Sequence, residues 1–160
     1  MKITVKQLTR GAVIGALYTV LTLILAPISF GAVQFRVSEA LTVLPFIMPE
    51  AVWGLTIGCF ISNIISSNII DAVFGTLATF LAALVTSKIK KMFIAPLPAV
   101  IFNGIIVGAV VTLMSVEFTL ANYLVIAFGI AVSEFVICYV GGIPLLVFVH
   151  QLGKRIKFFK

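Results

Sequence analysis

Long apolar stretches alternate with short polar or proline-containing segments along the whole chain. Within each stretch the apolar residues are continuous, whereas a transmembrane β-barrel would alternate apolar and polar positions, so the pattern predicts membrane helices. One span takes about 20 residues, and a chain of 160 residues has room for five or six spans. The stretches predict helices over residues 8–28, 37–48, 51–66, 69–87, 96–114 and 120–150.

Two of the predicted helices differ in length from a simple span. The second, residues 37–48, is too short to cross a hydrocarbon layer of about 30 Å, so we predict a partly broken helix beside a cavity. The sixth, residues 120–150, has about ten residues more than a perpendicular span requires. We therefore expect the sixth helix to tilt or to project from the membrane.

The composition supports a membrane location. Hydrophobic residues make up 62% of the chain and charged residues only 10%. Soluble domains contain about 45–50% apolar residues, and one water-soluble core cannot bury the excess. We expect an all-α, multi-pass membrane protein in which residues 1–160 form a single transmembrane domain.

Basic residues cluster at the ends of predicted helices, and their distribution predicts an orientation. The clusters precede the first helix, follow the fourth and follow the sixth: Lys2, Lys6 and Arg10; Lys88, Lys90 and Lys91; Lys154, Arg155, Lys157 and Lys160. Six spans place all three clusters on one side, which the positive-inside rule identifies as cytoplasmic, whereas five spans would split them. We predict six spans with both termini in the cytoplasm, and a net charge of +6 that reflects topology rather than nucleic-acid binding.

Four charged residues lie in or beside apolar stretches and are candidates for a functional site. Arg36 and Glu39 are three residues apart at the start of the second stretch, and Asp71 and Glu134 belong to later ones. Ionised groups beside hydrocarbon are costly, so a functional site is the default interpretation. The alternatives are an interfacial ion pair that caps a helix, for Arg36 with Glu39, and polar packing between helices, for Asp71 and Glu134.

With six spans these four residues fall in the outer half of the membrane, with Glu134 the deepest. Three carboxylates and one guanidinium favour a ligand that carries positive charge or many hydrogen-bond donors. Asn63 and Asn103 are amides at membrane depth that need polar partners. Asn63 is a candidate for the same site, whereas Asn103, nearer the cytoplasm, is interpreted as a packing contact between helices.

Small residues recur at a spacing of four on the first predicted helix, where Gly11 pairs with Gly15 and Ala12 with Ala16. Such stripes let another helix backbone approach closely. The approaching helix belongs either to this chain or to another protein. Two further pairs are expected to pack within the bundle: Gly54 with Gly58, and Gly104 with Gly108.

The sequence lacks the common motifs of enzymes and nucleotide-binding proteins. No G-x-x-x-x-G-K-[ST] loop, H-E-x-x-H motif or serine-centred motif occurs. Two isolated cysteines, Cys59 and Cys138, and the single His150 form no metal or disulfide pattern. We predict a protein that is not an enzyme, binds no metal or cofactor, and depends on a partner for any ATP-driven step.

Motifs spread along nearly the whole chain resemble those of a known family. The most specific is Phe35-Arg36-Val37-Ser38-Glu39-Ala40-Leu41-Thr42-Val43-Leu44-Pro45-Phe46. Weaker motifs follow in order: Asn63, Asp71-x-x-x-Gly75-x-x-Ala78-Thr79, Asn103-Gly104, and Glu134 followed by Gly141-Gly142-Ile143-Pro144. The chain resembles the QueT family, the queuosine-precursor substrate-binding (S) components of energy-coupling factor (ECF) transporters.

This resemblance implies a prokaryotic uptake system in the cell membrane. The S component would capture a queuosine precursor, a deazaguanine, from outside, and a transmembrane coupling protein with two ATPases would drive import. The substrate pocket would be lined by Arg36, Glu39, Asn63, Asp71 and Glu134. Ala12 and Ala16 would contact the coupling protein, and the loop over residues 29–35 would form a lid.

Other functions are compatible with the same residues. An S component for a different vitamin would have a similar composition, and a stand-alone secondary carrier would transport without ATPases. An intramembrane lipid enzyme could also use clustered carboxylates with Arg36, although it would be expected to bind metal or act on headgroups. A passive assembly factor would bind no small ligand.

Overall fold

The computed structural model describes residues 4–30, 34–115 and 117–155, and all regular structure within these ranges is helical. The α-helices are α1 (Val5–Ile24), α2 (Ala26–Ser29), α3 (Ala51–Ser66), α4 (Ile69–Thr86), α5 (Leu97–Phe102), α6 (Gly108–Ser115), α7 (Leu120–Val136) and α8 (Ile143–Arg155). Two 3-10 helices and two π-helical turns complete the set: Val37–Phe46 and Met92–Ile94, and Asn103–Val107 and Ile137–Gly142.

Several helical segments have the length and composition of membrane spans. Among the described residues, four are long and apolar enough: Val5–Ile24, Ile69–Thr86, Met92–Met114 and Leu120–Gly153. The apolar helices Val37–Phe46 and Ala51–Ser66 are shorter. The predicted all-helical membrane protein is confirmed, whereas the count of six spans and the cytoplasmic termini stay predictions. Three of the basic residues used for that orientation lie outside the described residues: Lys2, Lys157 and Lys160.

The first helix ends earlier than predicted. Its N-terminus has a capping box in which the Thr4 hydroxyl accepts from the Gln7 backbone N–H and the Gln7 side chain accepts from the Thr4 N–H. Its C-terminus is at Ile24, and Pro27 lies in the separate one-turn helix α2. Proline lacks an N–H and suits the first turn of a helix, so it begins a new helix here and does not extend α1.

The short second segment forms a 3-10 helix, Val37–Phe46, at the centre of the bundle. It contacts α1, α3, α4, α8 and the π turn Ile137–Gly142. Gly142 permits part of this packing, because a Cβ atom there would lie 2.9 Å from Cγ1 of Val43 and 3.2 Å from the backbone oxygen of Ala40. The helix is therefore enclosed by other elements, and its first turn carries the buried Glu39.

Helices α1 and α3 pack backbone to backbone through glycines. A Cβ atom added at Gly15 would lie 2.7 Å from the Gly54 carbonyl oxygen, and one added at Gly58 would lie 2.6 Å from the Gly15 oxygen. The Thr19 hydroxyl of α1 also donates to the Gly58 oxygen at 3.1 Å. The prediction that Gly54 and Gly58 pack within the bundle is confirmed, and the same contact uses the Gly15 stripe of α1.

The other predicted glycine pair also packs within the bundle. A Cβ atom at Gly104 would lie 3.1 Å from the Cβ of Ala131, and one at Gly108 would lie 2.8 Å from the Cα of Ala127. Both alanines belong to α7. Small residues on both sides therefore bring the segment 103–115 close to α7, as the spacing predicted.

Candidate functional site

Four charged side chains from three parts of the fold are buried in the bundle. Arg36 precedes the 3-10 helix, Glu39 lies in its first turn, Asp71 lies in the first turn of α4, and Glu134 lies near the end of α7. Glu39 is fully buried, Asp71 is 2% exposed, and Arg36 and Glu134 are each 3% exposed. Charges at this burial require partners, so their contacts define the chemistry of the site.

Arg36 pairs with two of the carboxylates. Its Nη1 lies 3.8 Å from Glu39 Oε1, and its Nη2 lies 3.9 Å from Asp71 Oδ2. The guanidinium also lies over the ring of Phe30, 5.1 Å from its centroid. The Arg36 and Glu39 pair, for which an interfacial helix cap was the alternative, is therefore buried inside the protein and also connected to α4.

Glu39 has the densest set of polar contacts. The Tyr18 hydroxyl of α1 donates a hydrogen bond to Oε1, and the Thr79 hydroxyl of α4 lies 3.5 Å from the same oxygen. The Glu39 backbone oxygen accepts from the Thr42 hydroxyl at 2.6 Å and from the Cys138 thiol at 3.4 Å. This single residue connects α1, α4 and the π turn that follows α7.

The contact of Tyr18 with Glu39 was not predicted from the sequence. Tyrosine is frequent at membrane interfaces, so the residue type alone gives no sign of burial. A signal does exist in the spacing, because Tyr18 shares one helical face with Gly11, Gly15 and Thr22, all of which are buried. Tyr18, which donates to Glu39, therefore lies on the same buried face of α1 as the small residues.

Asn63 and Asp71 lie next to each other in space, as expected if both belong to one site. The Asn63 side chain of α3 donates to the Asp71 backbone oxygen at 3.2 Å and to Cys59 Sγ at 3.5 Å. Gly75 leaves space for both, since a Cβ atom there would lie 3.0 Å from Asn63 Nδ2 and 3.1 Å from Asp71 Oδ1. The Asn68 side chain caps α4 by accepting from the Asp71 N–H at 3.0 Å, which fixes the first turn of the helix.

Asn103, interpreted from the sequence as a packing contact between helices, lies next to the carboxylate cluster. Its side chain faces the carboxylates of both Glu39 and Glu134, although neither of its heteroatoms has a hydrogen bond of standard geometry within the described residues. Asn103 begins one π turn, and Glu134 lies three residues before the other. A π turn inserts an extra residue and redirects the side chains around it, so a uniform helical spacing did not reveal this convergence.

Many polar atoms of the site have no hydrogen-bond partner within the part of the chain that the structure describes. They are Nε and Nη2 of Arg36, Oε2 of Glu39, Oδ1 of Asn63, both carboxylate oxygens of Asp71, and both side-chain heteroatoms of Asn103. Folded proteins leave few buried polar groups unpaired. Their concentration in one place makes this cluster the candidate functional site of the described residues.

The alanine pair of α1 lies on a different face from the glycines. Ala12 and Ala16 are exposed and line an open groove of about 830 Å³ between α1 and α3, which also includes Trp53, Ile57 and Ile61. Gly11 and Gly15 line the same groove, so the two pairs border it together, with the glycines buried against α3 and the alanines exposed. The predicted lid over residues 29–35 is only partly described, because residues 31–33 lie outside the described ranges.

The described residues show no arrangement for a metal ion. No group of three or more His, Cys, Asp or Glu side chains in these ranges is placed to hold one. Cys59 and Cys138 are both buried free thiols. Cys59 lies 3.3 Å from the Thr79 hydroxyl, and Cys138 lies 3.6 Å from Glu134 Oε2, so both thiols line the polar cluster.

Comparisons with known proteins agree on one family. Residues 8–151 match the model of the family described as QueT transporter. The queuosine precursor transporter QueT of Lactococcus lactis subsp. cremoris (strain MG1363) is 43% identical over 70 residues, which cover 42% of this chain and 41% of that relative. The match thus spans less than half the length of that relative, and no solved structure shows a significant match. Because the family match covers most of the chain, this multi-pass protein of the cell membrane belongs to the QueT transporter family.

Proposed function

We propose that this protein is the substrate-binding subunit of an ECF importer, and that it binds a queuosine precursor, a deazaguanine, from outside the cell. It delivers the substrate inward together with a transmembrane coupling protein and two ATPases, and it catalyses no reaction itself. The observation that carries the proposal is the buried cluster of Arg36, Glu39, Asn63, Asp71 and Glu134 with its unpaired polar atoms. Membership of the QueT transporter family supports the same conclusion.

The hydrogen-bonding groups of the cluster suit a deazaguanine ring. The Watson-Crick edge of such a ring presents adjacent N–H donors, which a carboxylate accepts as a pair. Among the described residues, Glu39 Oε2 and the two oxygens of Asp71 accept no hydrogen bond, although Asp71 Oδ2 forms an ion pair with Arg36. Arg36 and Asn103 would supply donors for the ring carbonyl. An aminomethyl substituent adds a cation, for which the site has a further carboxylate.

Two features support dependence on partners. The sequence has no nucleotide-hydrolysing P-loop, so ATP must be used by another chain if import is ATP-driven. The exposed alanines, Ala12 and Ala16, give a smooth helix surface on which another transmembrane helix can pack closely. We propose that this surface binds the coupling protein.

Binding measurements on purified protein test the substrate assignment. Isothermal titration with a deazaguanine is compared for wild type, Glu39→Gln and Glu134→Gln. A hydrogen bond to a charged group contributes about 1.5–3 kcal/mol, so each substitution that removes a ligand contact should weaken binding about ten- to a hundredfold. The matched control is Glu117→Gln, because Glu117 is exposed and outside the cluster, and it should leave affinity unchanged.

The alternatives predict different results. If both Glu39→Gln and Glu134→Gln bind the deazaguanine like wild type, the site assignment is wrong. Binding of another vitamin in place of deazaguanines would identify an S component of different specificity. Uptake that persists in cells without the coupling protein and ATPases would identify a stand-alone carrier.

A further inference from the structure

The charges in the buried cluster do not balance within the chain. Three carboxylates, Glu39, Asp71 and Glu134, share one buried guanidinium, and Arg36 pairs with the first two at 3.8 and 3.9 Å. Glu134 takes part in no ion pair among the described residues. One guanidinium balances only one of the three carboxylate charges, and Glu134 is the carboxylate that lies outside the ion pairs of the described residues.

The groups that hydrogen-bond with or face Glu134 are uncharged, although the charges of Glu39 and Arg36 also act on it. Its closest hydrogen-bonding contact is the Cys138 thiol, 3.6 Å from Oε2, and the Asn103 amide faces it. Glu39, by contrast, receives the Tyr18 hydroxyl and the Arg36 guanidinium. Removing a carboxylate from water costs several kcal/mol unless an opposite charge compensates. Because Glu134 has no such partner among the described residues, a cationic ligand group is expected to bind there more favourably than at Glu39.

Glu134 is close enough to Glu39 for one small molecule to reach both. The same Asn103 side chain faces the two carboxylates, and the same Cys138 thiol contacts Glu39 through its backbone oxygen and Glu134 through Oε2. A ring bound at Glu39 and Arg36 would place a short substituent within reach of Glu134.

We infer that Glu134 binds the cationic group of the substrate and makes the site selective for a deazaguanine with a primary ammonium substituent. A deazaguanine whose substituent is uncharged loses this contact and binds more weakly. The inference rests on the proposed function, which requires only that the site bind the ring. It further specifies that the substrate is cationic and that Glu134 recognises its charge.

The test compares two ligands that share the deazaguanine ring and differ in its substituent: a cationic aminomethyl group in one and a neutral nitrile in the other. Isothermal titration is carried out with both compounds on wild type, Glu134→Gln, Glu39→Gln and the exposed control Glu117→Gln. Wild type should bind the ammonium compound at least about tenfold more tightly, since a charge-assisted contact is worth about one tenfold step or more. Glu134→Gln should bind both compounds equally, whereas Glu39→Gln should weaken both and keep their ratio, and the control should match wild type.

Equal binding of the two compounds to wild type would overturn the inference without any variant. A preference that survives in Glu134→Gln, or one that disappears in Glu39→Gln, would assign the ammonium contact elsewhere and would also overturn it. If Glu134→Gln weakened the binding of both compounds equally, Glu134 would contact the ring and not the substituent, and the inference would again be overturned. If wild type binds neither compound, the proposed function fails, and the inference fails with it.

Discussion

Glu39 is the residue on which the candidate site depends, because contacts from several elements hold one carboxylate in a fixed position. Tyr18 and Thr79 approach Oε1 from α1 and α4, and Arg36 approaches it from the same segment. A buried carboxylate with these donors is stable only while they remain in place. Tyr18 is therefore expected to matter both for folding and for the geometry of ligand binding.

Replacing Tyr18 by phenylalanine tests this contact. Tyr18→Phe removes the hydroxyl that donates to the fully buried Glu39, and it should lower the free energy of unfolding by about 1–3 kcal/mol. Denaturant unfolding of the protein in detergent measures the effect. The matched control is Tyr123→Phe, whose hydroxyl donates at 3.4 Å to the Ile105 oxygen at an exposed site and should change stability by less than about 0.5 kcal/mol.

Equal stability of the two phenylalanine variants would contradict a role for Tyr18 in holding Glu39. A loss of stability at Tyr18 with unchanged deazaguanine affinity would leave the contact structural and separate it from ligand binding.

At the scale of elements, α1 has two faces with different uses. Its glycine face is buried against α3 at backbone distance, whereas its alanine face is exposed, and both faces border the groove between the two helices. The two stripes are shifted by one residue, which turns them by about 100° around a helix of 3.6 residues per turn. One helix can therefore hold the bundle together and still present a surface to a partner.

Because α1 and α3 are in backbone contact at their glycines, one methyl group added at this contact should destabilise the protein. Gly54→Ala would force its Cβ against the Gly11 carbonyl oxygen, and overpacking of this kind should cost about 1–3 kcal/mol of stability. The matched control is Gly129→Ala, because no atom lies within 4 Å of a Cβ at that position of α7. The control should be neutral or stabilising by up to about 1 kcal/mol, since alanine favours helix more than glycine does. Thermal unfolding that ranks the two variants in the opposite order would contradict the packing described for α1 and α3.

The alanine face predicts a separation of binding from uptake. Ala12→Leu or Ala16→Leu places a bulky side chain in the groove where we propose that the coupling protein packs, so uptake in cells should be lost. None of the residues proposed to bind the deazaguanine lines this groove, so the dissociation constant of the purified variants should equal that of wild type. Ala121→Leu, an equal change at an exposed position at the start of α7, should leave both properties intact. Joint loss of binding and uptake in the Ala12 and Ala16 variants would refute the two-surface arrangement.

At the scale of the whole molecule, topology decides which side of the membrane reaches the site. Six crossings place both termini in the cytoplasm and put Glu117 in an external loop, whereas five crossings separate the termini. The longest helical segment, Leu120–Gly153, has 34 residues, which suits the tilted or projecting helix expected from the sequence.

Reporter fusions test the orientation directly. Alkaline phosphatase, which is active only outside the cytoplasm, should be inactive when fused to the N-terminus or the C-terminus and active when inserted at Glu117. Activity at one terminus would show an odd number of crossings and would remove the argument that the basic clusters share one side.

The sequence by itself determined that this chain forms membrane helices, and it identified most residues of the candidate site. The hydrophobicity of a segment depends only on its own residues. In a chain with 62% hydrophobic residues, the membrane helices can therefore be predicted without knowledge of the fold. Charges beside hydrocarbon are rare for energetic reasons, so Arg36, Glu39, Asp71 and Glu134 could be selected from the sequence alone.

Only the tertiary structure decided how these residues meet. It brought Tyr18 and Asn103 to the carboxylates and made the second segment a 3-10 helix. It also paired Arg36 with Glu39 and Asp71, and Glu134 lies outside these two ion pairs. It also separated the glycine face of α1 from the alanine face. These outcomes depend on contacts between residues far apart in the chain and on two π turns that shift the helical spacing. A periodic pattern along one helix carries no information about which side chain of another helix it will face.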